Sequence, residues 1–188
     1  MSDLVVVLDA CVLVPAALRD TLLRAAQEML YKPLWSEIIL AELSRTLINE
    51  GMTDASRAAR LLDTLRTFFP DSTVGGIEPF IDQMTNHPKD RHVLAAAVVG
   101  GATILVTSNL RDFPDAAAEP WDVEIQSPDE FLCHLLALEP DLLCEIVRRQ
   151  GAELRQPRSP QAVLDRLATL GGATFAARVA AHLGLADS

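Results

Sequence analysis

The stretch from Pro88 to Pro114 constrains the fold more than any other part of the sequence. Pro88 disfavours helix before it, so the apolar helical pattern that follows is predicted to begin at Asp90. The helix ends at Gly100-Gly101, and the aliphatic run 103–106 predicts a strand of the kind buried in a parallel sheet. The polar loop after this strand therefore lies at the carboxyl edge of the sheet, where open α/β folds keep their sites.

A second apolar run, Leu4 to Leu8, predicts another central parallel strand, and residues 123–125 predict a short edge strand. Lys32 to Trp35 is interpreted as an extended link, and Asp115 to Pro120 as a loop. We therefore predict an α/β domain over residues 1–139. From Pro140 the pattern is helical only, so residues 140–188 are predicted to form a small helical C-terminal extension that covers an exposed face.

Composition excludes several classes of protein. The formal net charge of −10 argues against a protein that holds nucleic acid by bulk electrostatics. The three cysteines form no CxxC pair and the four histidines are scattered, so neither a disulfide framework nor a zinc site is expected. Because the chain has no long apolar run and its start, Met1 to Asp3, lacks the basic residues of a secretory signal, we expect no membrane span and a cytoplasmic protein.

Two further acidic residues accompany Asp90. Asp9 follows the first strand directly, where it is either a site residue at the sheet edge or the N-cap of the next helix. Glu42 lies among aliphatic residues in the helix predicted from Glu37 to Asn49, which Ser36 caps. A carboxylate there is either met by a positive group or makes a surface contact with a neighbour one turn on, such as Arg45.

The acidic residues suggest a hard metal ion if they converge. Two unit charges about 4 Å apart repel by roughly 4 kcal/mol at an effective dielectric of about 20, so such a cluster either protonates or recruits a cation. Oxygen ligands without histidine or thiolate favour Mg²⁺, with Mn²⁺ as a substitute. The chemistry indicated is metal-assisted phosphodiester hydrolysis. The nearby basic residues are either phosphate ligands or ordinary surface charges; they are Arg45, Lys89, Arg91 and Arg111.

Four segments together resemble the acidic motifs of PIN-domain ribonucleases, and more narrowly those of VapC-type toxins of bacterial toxin-antitoxin systems. They are Val7 to Leu13, Leu40 to Leu43, Lys89 to Ala97 and Val106 to Phe113. The resemblance implies a PIN-like parallel sheet flanked by helices and Mg²⁺-dependent cleavage of RNA. It also implies a homodimer silenced by a VapB-like antitoxin.

The family's functional positions carry over to named residues. Asp9, Glu42 and Asp90 match the first three acidic positions. The fourth is open, because Asn109 stands where many members have aspartate, and Asp112 follows three residues later. We predict Asp9, Glu42, Asp90 and Asp112 as the catalytic, metal-binding set. The predicted substrate-binding residues are Arg45, Lys89, Arg91, Asn109 and Arg111.

Other protein classes fit less well. A haloacid dehalogenase phosphatase needs a second aspartate at the position of Cys11, and a response-regulator receiver needs a late lysine, whereas no lysine follows Lys89. The remaining alternative is a PIN-like scaffold that binds RNA or a partner without cleaving. Asn109 favours this scaffold, while the retention of three carboxylates where phosphate must approach weighs against it.

Overall fold

A computed structural model of the chain describes residues 4–185. Within that range five parallel strands form one sheet in the order β3-β2-β1-β4-β5. The strands are β1 (Val5–Leu8), β2 (Lys32–Ser36), β3 (Thr73–Val74), β4 (Ile104–Val106) and β5 (Glu124–Gln126). The helices are α1 (Ala10–Leu13), α2 (Ala16–Gln27), α3 (Glu37–Asn49), α4 (Ala55–Phe68), α5 (Glu78–Ile81), α6 (Arg91–Gly100), α7 (Asp115–Ala118), α8 (Pro128–Leu138), α9 (Pro140–Glu153), α10 (Pro160–Thr169) and α11 (Ala173–Leu183). Three 3-10 turns join them, at Pro88–Asp90, Leu110–Asp112 and Glu119–Trp121.

The sheet is buried on both faces. Val6, Val7 and Leu8 of β1 have no exposed surface. Because successive residues of a strand point to opposite faces, their burial means that helices cover the sheet on either side. This confirms the predicted α/β fold with a parallel sheet flanked by helices.

The strand order reverses at β1. The chain runs outward from β1 through β2 to β3, and then returns to the other side of β1 to form β4 and β5. The carboxyl ends of β1 and β4 therefore flank the crevice at which open parallel sheets bind ligands. The two strands are in direct register there, with Leu8 opposite Val106.

One predicted link is a strand. Lys32 to Trp35 belongs to β2, an interior strand, although Pro33 lies within it. Proline is excluded from most interior strands because it has no N–H for the ladder. Here β3 is only two residues long and pairs with Trp35 and Ser36, so the ladder between β2 and β3 does not reach Pro33.

Two segments contain more regular structure than their sequence predicts. Residues 115–120, predicted as a loop, form α7 and most of the following 3-10 turn. The irregular stretch between α4 and Asp90 contributes strand β3 as well as the short helix α5. Strand β3 and helices α5 and α7 are each four residues long or shorter, which is too short for hydrophobic periodicity to identify them. The predicted edge strand is confirmed, as β5.

The C-terminal helices pack against α2 and α8. Gln150 of α9 is buried, and its amide joins α2 by accepting a 2.8 Å hydrogen bond from Thr21 and donating one of 3.0 Å to the carbonyl of Ala17. Asp129 of α8 accepts hydrogen bonds from the backbone at the start of α11, including one of 2.8 Å from Phe175. The division at residue 140 stays a prediction. Across residues 4–185, every helix is too short or too polar to cross a bilayer.

Candidate active site and metal centre

Asp9 and Thr107 meet at the crevice between β1 and β4. Asp9 follows β1, Thr107 follows β4, and both side chains are buried. Thr107 Oγ1 donates a 2.7 Å hydrogen bond to Oδ2 of Asp9, and the thiol of Cys11 donates a second one of 3.0 Å. Asp9 precedes α1 but its side chain makes no cap hydrogen bond to that helix. The buried carboxylate is therefore held by side chains at the sheet edge and does not act as an N-cap.

The thiol of Cys11 is hydrogen-bonded to its neighbours and is not a reactive nucleophile. Its sulfur accepts a 3.2 Å hydrogen bond from the backbone N–H of Ser108, in addition to its contact with Asp9. Burial, together with the negative charge of Asp9, raises the pKa of Cys11 to about 12. The residue is thus a neutral donor at physiological pH, and it supports the position of Asp9.

Asp90 is a buried carboxylate at the start of α6. Only 4% of the residue is exposed, and its Oδ2 makes no hydrogen bond to the residues that the structure describes. Burial raises the pKa of Asp90 to about 6; the charge of Lys89 opposes this rise, whereas the charges of Asp9 and Asp112 add to it. A buried carboxylate oxygen without a hydrogen bond is costly, so this oxygen is suited to receive a cation.

Asp112 lies next to Asp90, on the 3-10 turn after β4. Lys89 Nζ is 3.2 Å from Oδ2 of Asp112 and 3.8 Å from Oδ2 of Asp90. Loss of hydration acts to raise the pKa of Asp112, but the hydrogen bonds from Lys89 and Asp90 outweigh it and lower the pKa. An ammonium group therefore bridges the two carboxylates.

His87 completes a group of three potential ligands with these carboxylates. One donor atom from each of His87, Asp90 and Asp112 lies within 4.8 Å of the other two. The backbone connects the same residues, because the N–H of His87 donates to the carbonyl of Asp112 at 3.0 Å and the N–H of Asp90 donates to the carbonyl of His87 at 2.9 Å. Two loops that are distant in sequence are thereby held together.

Glu42 faces His92 from α3. Nε2 of His92 on α6 lies 3.4 Å from a carboxylate oxygen of Glu42. This contact is the main cause that lowers the pKa of Glu42, with the charges of Arg45 and Lys89 adding to it and burial opposing it. The alternative of a surface ion pair with Arg45 is not observed within residues 4–185. Glu42 is not one of the three residues grouped around Asp90.

The predicted substrate-binding residues differ in their exposure and in their partners. Arg45 and Arg111 are exposed and form no ion pair within the described part of the chain. Arg91 is half-buried, and its Nε is 3.4 Å from the carbonyl oxygen of Asn86. Asn109 lies in the loop after β4, where its backbone N–H donates a 3.0 Å hydrogen bond to Oγ1 of Thr107.

The donor set fits a divalent metal ion. Asp90 offers a buried oxygen without a hydrogen bond, Asp112 lies beside it, and Asp9 is near enough for its charge to raise the pKa of Asp90. Carboxylate-rich sites of this kind suit Mg²⁺ and Mn²⁺. Lys89 already supplies one positive charge to the cluster, as expected where carboxylates gather.

Sequence reasoning missed four residues around the carboxylates: Cys11, His87, His92 and Thr107. Thr107 follows a predicted strand directly, as Asp9 does, so its position at the same sheet edge was a usable signal. His87 and His92 carried no such signal, because their approach to Asp112 and Glu42 depends on how α6 packs between β4 and α3.

A parallel sheet with strand order 3-2-1-4-5 and carboxylates at the β1/β4 crevice is the arrangement of a PIN domain, and comparison with known families agrees. The family model described as "PIN domain" matches residues 5–111, more than half of the chain. The chain therefore belongs to the PIN domain family. A second model, described as "VapC50 C-terminal domain", matches residues 128–181.

The chain is also similar to a curated protein named "Putative ribonuclease VapC50" from Mycobacterium tuberculosis (strain ATCC 25618 / H37Rv). The two are 42% identical over 93 residues, which cover 49% of this chain and 55% of the relative. The match thus spans about half of each protein. No solved structure matches the chain significantly.

Proposed function

We propose that this protein is a metal-dependent endoribonuclease that acts as the toxin of a VapBC-type pair. The observation that carries the proposal is the buried oxygen of Asp90, which has no hydrogen-bond partner within residues 4–185 and lies near the carboxylates of Asp9 and Asp112. Membership of the PIN domain family and the ribonuclease name of the relative support it. A binding scaffold has no use for several carboxylates, with only the ammonium of Lys89 among them, where phosphate must approach.

The proposed metal ligands are Asp9, Glu42, Asp90 and Asp112, and the proposed ion is Mg²⁺ or Mn²⁺. When bound, such an ion supplies a water of lowered pKa and neutralises charge that develops on the phosphate. Thr107 and Cys11 orient Asp9 through its Oδ2. Asp112 retains its negative charge at neutral pH, because its pKa is lowered.

The proposed phosphate contacts come from basic residues around the carboxylates. Arg45 and Arg111 are exposed and free of ion pairs within residues 4–185, so their guanidinium groups are available to an incoming backbone. Lys89 is engaged with Asp112 and Asp90, and it becomes available when a metal ion takes over those carboxylates. The amide of Asn109 is proposed to contact substrate in the same loop.

The test is RNA cleavage by the purified full-length protein, freed of any partner, with and without Mg²⁺ or Mn²⁺. Asp90→Asn is compared with Asp165→Asn, which makes the same change at an exposed carboxylate on α10. We expect discrete RNA fragments that require the metal, disappear in D90N and persist in D165N. Folded protein that binds RNA but leaves it intact at every metal concentration would instead favour the non-cleaving scaffold.

The proposed partners are RNA, a VapB-like antitoxin and a second copy of the chain. A cleft of about 790 Å³ between the start of α2, the α3–α4 connection and α10 supports the antitoxin, because three arginines surround its apolar lining. They are Arg19, Arg57 and Arg166. An apolar segment bearing acidic residues would complement this cleft. Its lining includes Met52, which is 57% exposed.

Co-expression with a VapB-like antitoxin tests the antitoxin proposal. We expect a stable complex in which RNA cleavage is suppressed, and Met52→Glu is expected to weaken it. Leu138→Glu is the matched control, since Leu138 is 55% exposed and lies outside the cleft. Sedimentation of the protein alone reports whether it is a dimer.

A further inference from the structure

We propose that His87 is a nitrogen ligand of the metal site, together with Asp90 and Asp112, and that the site binds Mn²⁺ in preference to Mg²⁺. No motif matched in the sequence contains His87, and an oxygen-only ligand set was expected. The inference rests on the proposed function, because it names the kind of ion that the same site takes.

The positions of the three donors carry the first step. Their ligand atoms lie within 4.8 Å of one another. Opposite ligands of one ion with bonds of about 2.1 Å are about 4.2 Å apart, so small side-chain movements suffice to bring all three donors onto one ion. The side chain of His87 is exposed and that of Asp112 is half-buried, which leaves both free to make such movements.

Backbone hydrogen bonds fix the loops that carry these donors. His87 and Asp112 are joined at 3.0 Å, and Asp90 and His87 at 2.9 Å. Pro88 begins the 3-10 turn between His87 and Asp90, which further restricts the backbone there. The backbone of the three ligands is therefore held together before an ion binds, and binding has to order only their side chains.

The buried oxygen of Asp90 points independently to a cation. Only 4% of Asp90 is exposed, and its Oδ2 has no hydrogen-bond partner within residues 4–185. The ammonium of Lys89 lies 3.8 Å from that oxygen and 3.2 Å from Asp112. Lys89 thus occupies the neighbourhood of the cation and competes with a metal ion for the same two carboxylates.

The imidazole decides which ion is favoured. Mg²⁺ is a hard ion that prefers carboxylate and water oxygen, whereas imidazole is a good ligand for first-row transition metals. Mn²⁺ is the weakest binder of that series and shares the preference for oxygen, but as a transition metal it accepts a nitrogen ligand more readily than Mg²⁺ does. A nitrogen donor beside two carboxylates therefore adds more to the affinity for Mn²⁺ than to the affinity for Mg²⁺.

The experiment measures metal binding to the full-length protein without RNA. Mn²⁺ is titrated by calorimetry and by electron paramagnetic resonance, and Mg²⁺ by calorimetry alone. In the wild type we expect tighter binding of Mn²⁺ than of Mg²⁺, and a nitrogen coupling in the spin-echo spectrum of bound Mn²⁺. His87→Ala is expected to weaken Mn²⁺ binding about tenfold or more, to change Mg²⁺ binding less than about threefold, and to remove the nitrogen coupling.

Two further variants sharpen the result. His182→Ala is the matched control, because His182 is exposed on α11 and its Nδ1 lies 3.0 Å from the carbonyl oxygen of Arg178 in its own helix, away from the candidate site. It is expected to behave as the wild type does. Lys89→Met removes the competing ammonium and is expected to tighten the binding of both ions.

The inference is overturned if the wild type binds no Mn²⁺, if bound Mn²⁺ shows no nitrogen coupling, or if both affinity and coupling survive in H87A. Failure of the nuclease proposal looks different. Mn²⁺ that binds through His87 while RNA stays intact would uphold the metal site and reject the nuclease. Metal-dependent RNA cleavage that is unchanged in H87A would uphold the nuclease and reject His87 as a metal ligand.

Discussion

At the scale of single residues, Thr107 determines how Asp9 is presented. Its hydroxyl is buried and donates a 2.7 Å hydrogen bond to that carboxylate, shorter than the 3.0 Å bond from Cys11. Valine has the same shape but cannot donate, so Thr107→Val leaves Asp9 with the weaker thiol of Cys11. We expect RNA cleavage by T107V to fall about tenfold to a hundredfold at a temperature where both proteins are folded. Its melting temperature is expected to fall as well, because the N–H of Asn109 loses Thr107 Oγ1 as its acceptor.

The control for this variant is Thr103→Val. Thr103 is exposed before the amino end of the same strand, β4, so the same change there leaves the carboxyl edge untouched. Cleavage by T103V is expected to equal that of the wild type. Equal activities of T107V and T103V would show that the hydroxyl of Thr107 does not position Asp9.

Asp90 predicts a dependence of stability on pH. Its pKa is about 6 in the folded protein and near its ordinary value of about 4 in the unfolded chain, so the ionised carboxylate costs stability above pH 6. This cost disappears as the pH falls from 6 toward 4, where the folded protein keeps the proton. Asparagine cannot ionise. In EDTA we expect Asp90→Asn to melt at a higher temperature than the wild type at pH 8, and the difference to shrink at pH 5.

Scanning calorimetry at both pH values checks this prediction. Excess Mn²⁺ at pH 8 is expected to raise the melting temperature of the wild type more than that of D90N, because a ligand stabilises the state that binds it. A difference between the two proteins that is the same at pH 5 and pH 8 would mean that Asp90 does not carry the raised pKa.

At the scale of elements, Gly151 allows α9 and α10 to approach closely. A Cβ at this position would lie 2.6 Å from the backbone of both Ser159 and Pro160, which begin α10. Backbone cannot yield as a flexible side chain does, so Gly151→Ala must push the two helices apart. We expect G151A to lower the free energy of unfolding by about 1–3 kcal/mol. Ala152→Ser is the control, because Ala152 is the exposed neighbour of Gly151. Its free energy of unfolding is expected to fall by about 0.5 kcal/mol.

Urea denaturation followed by circular dichroism measures both variants. The prediction fails if G151A and A152S unfold at the same urea concentration.

The positions of several elements were predictable from the sequence. Helix α3, for example, begins and ends at the residues expected from its cap and its apolar pattern. Strand β2 was not predictable, because Pro33 argues against an interior strand and only the shortness of β3 removes the objection.

At the scale of the whole molecule, the C-terminal helices complete the packing of α2. Leu18, Thr21 and Leu22 are almost fully buried, and α9 and α10 pack on this helix. Removing residues 140–188 would expose apolar side chains worth about 1.5–3 kcal/mol each and leave Thr21 without Gln150. We expect the 1–139 fragment to melt at least about 10 °C below the full chain, or to aggregate.

Thermal melting and sedimentation of the fragment test this prediction. If residues 1–139 fold as a monomer with an unchanged melting temperature, the predicted boundary divides two independent units. A lower melting temperature would mean that the C-terminal helices are part of the structure that carries the candidate site.

The sequence by itself determined strands β1, β4 and β5 of the parallel sheet, the Ser36 cap of α3, and the choice of Asp9, Glu42 and Asp90 as candidate site residues. These follow from local rules: apolar runs such as Leu4 to Leu8 bury, prolines and glycines end elements, and a residue after a parallel strand lies at the carboxyl edge. Only the tertiary structure decided that Thr107 binds Asp9, and that His87 and Lys89 join Asp90 and Asp112. Such contacts depend on distances between segments that are far apart in the chain, and no local pattern encodes those distances.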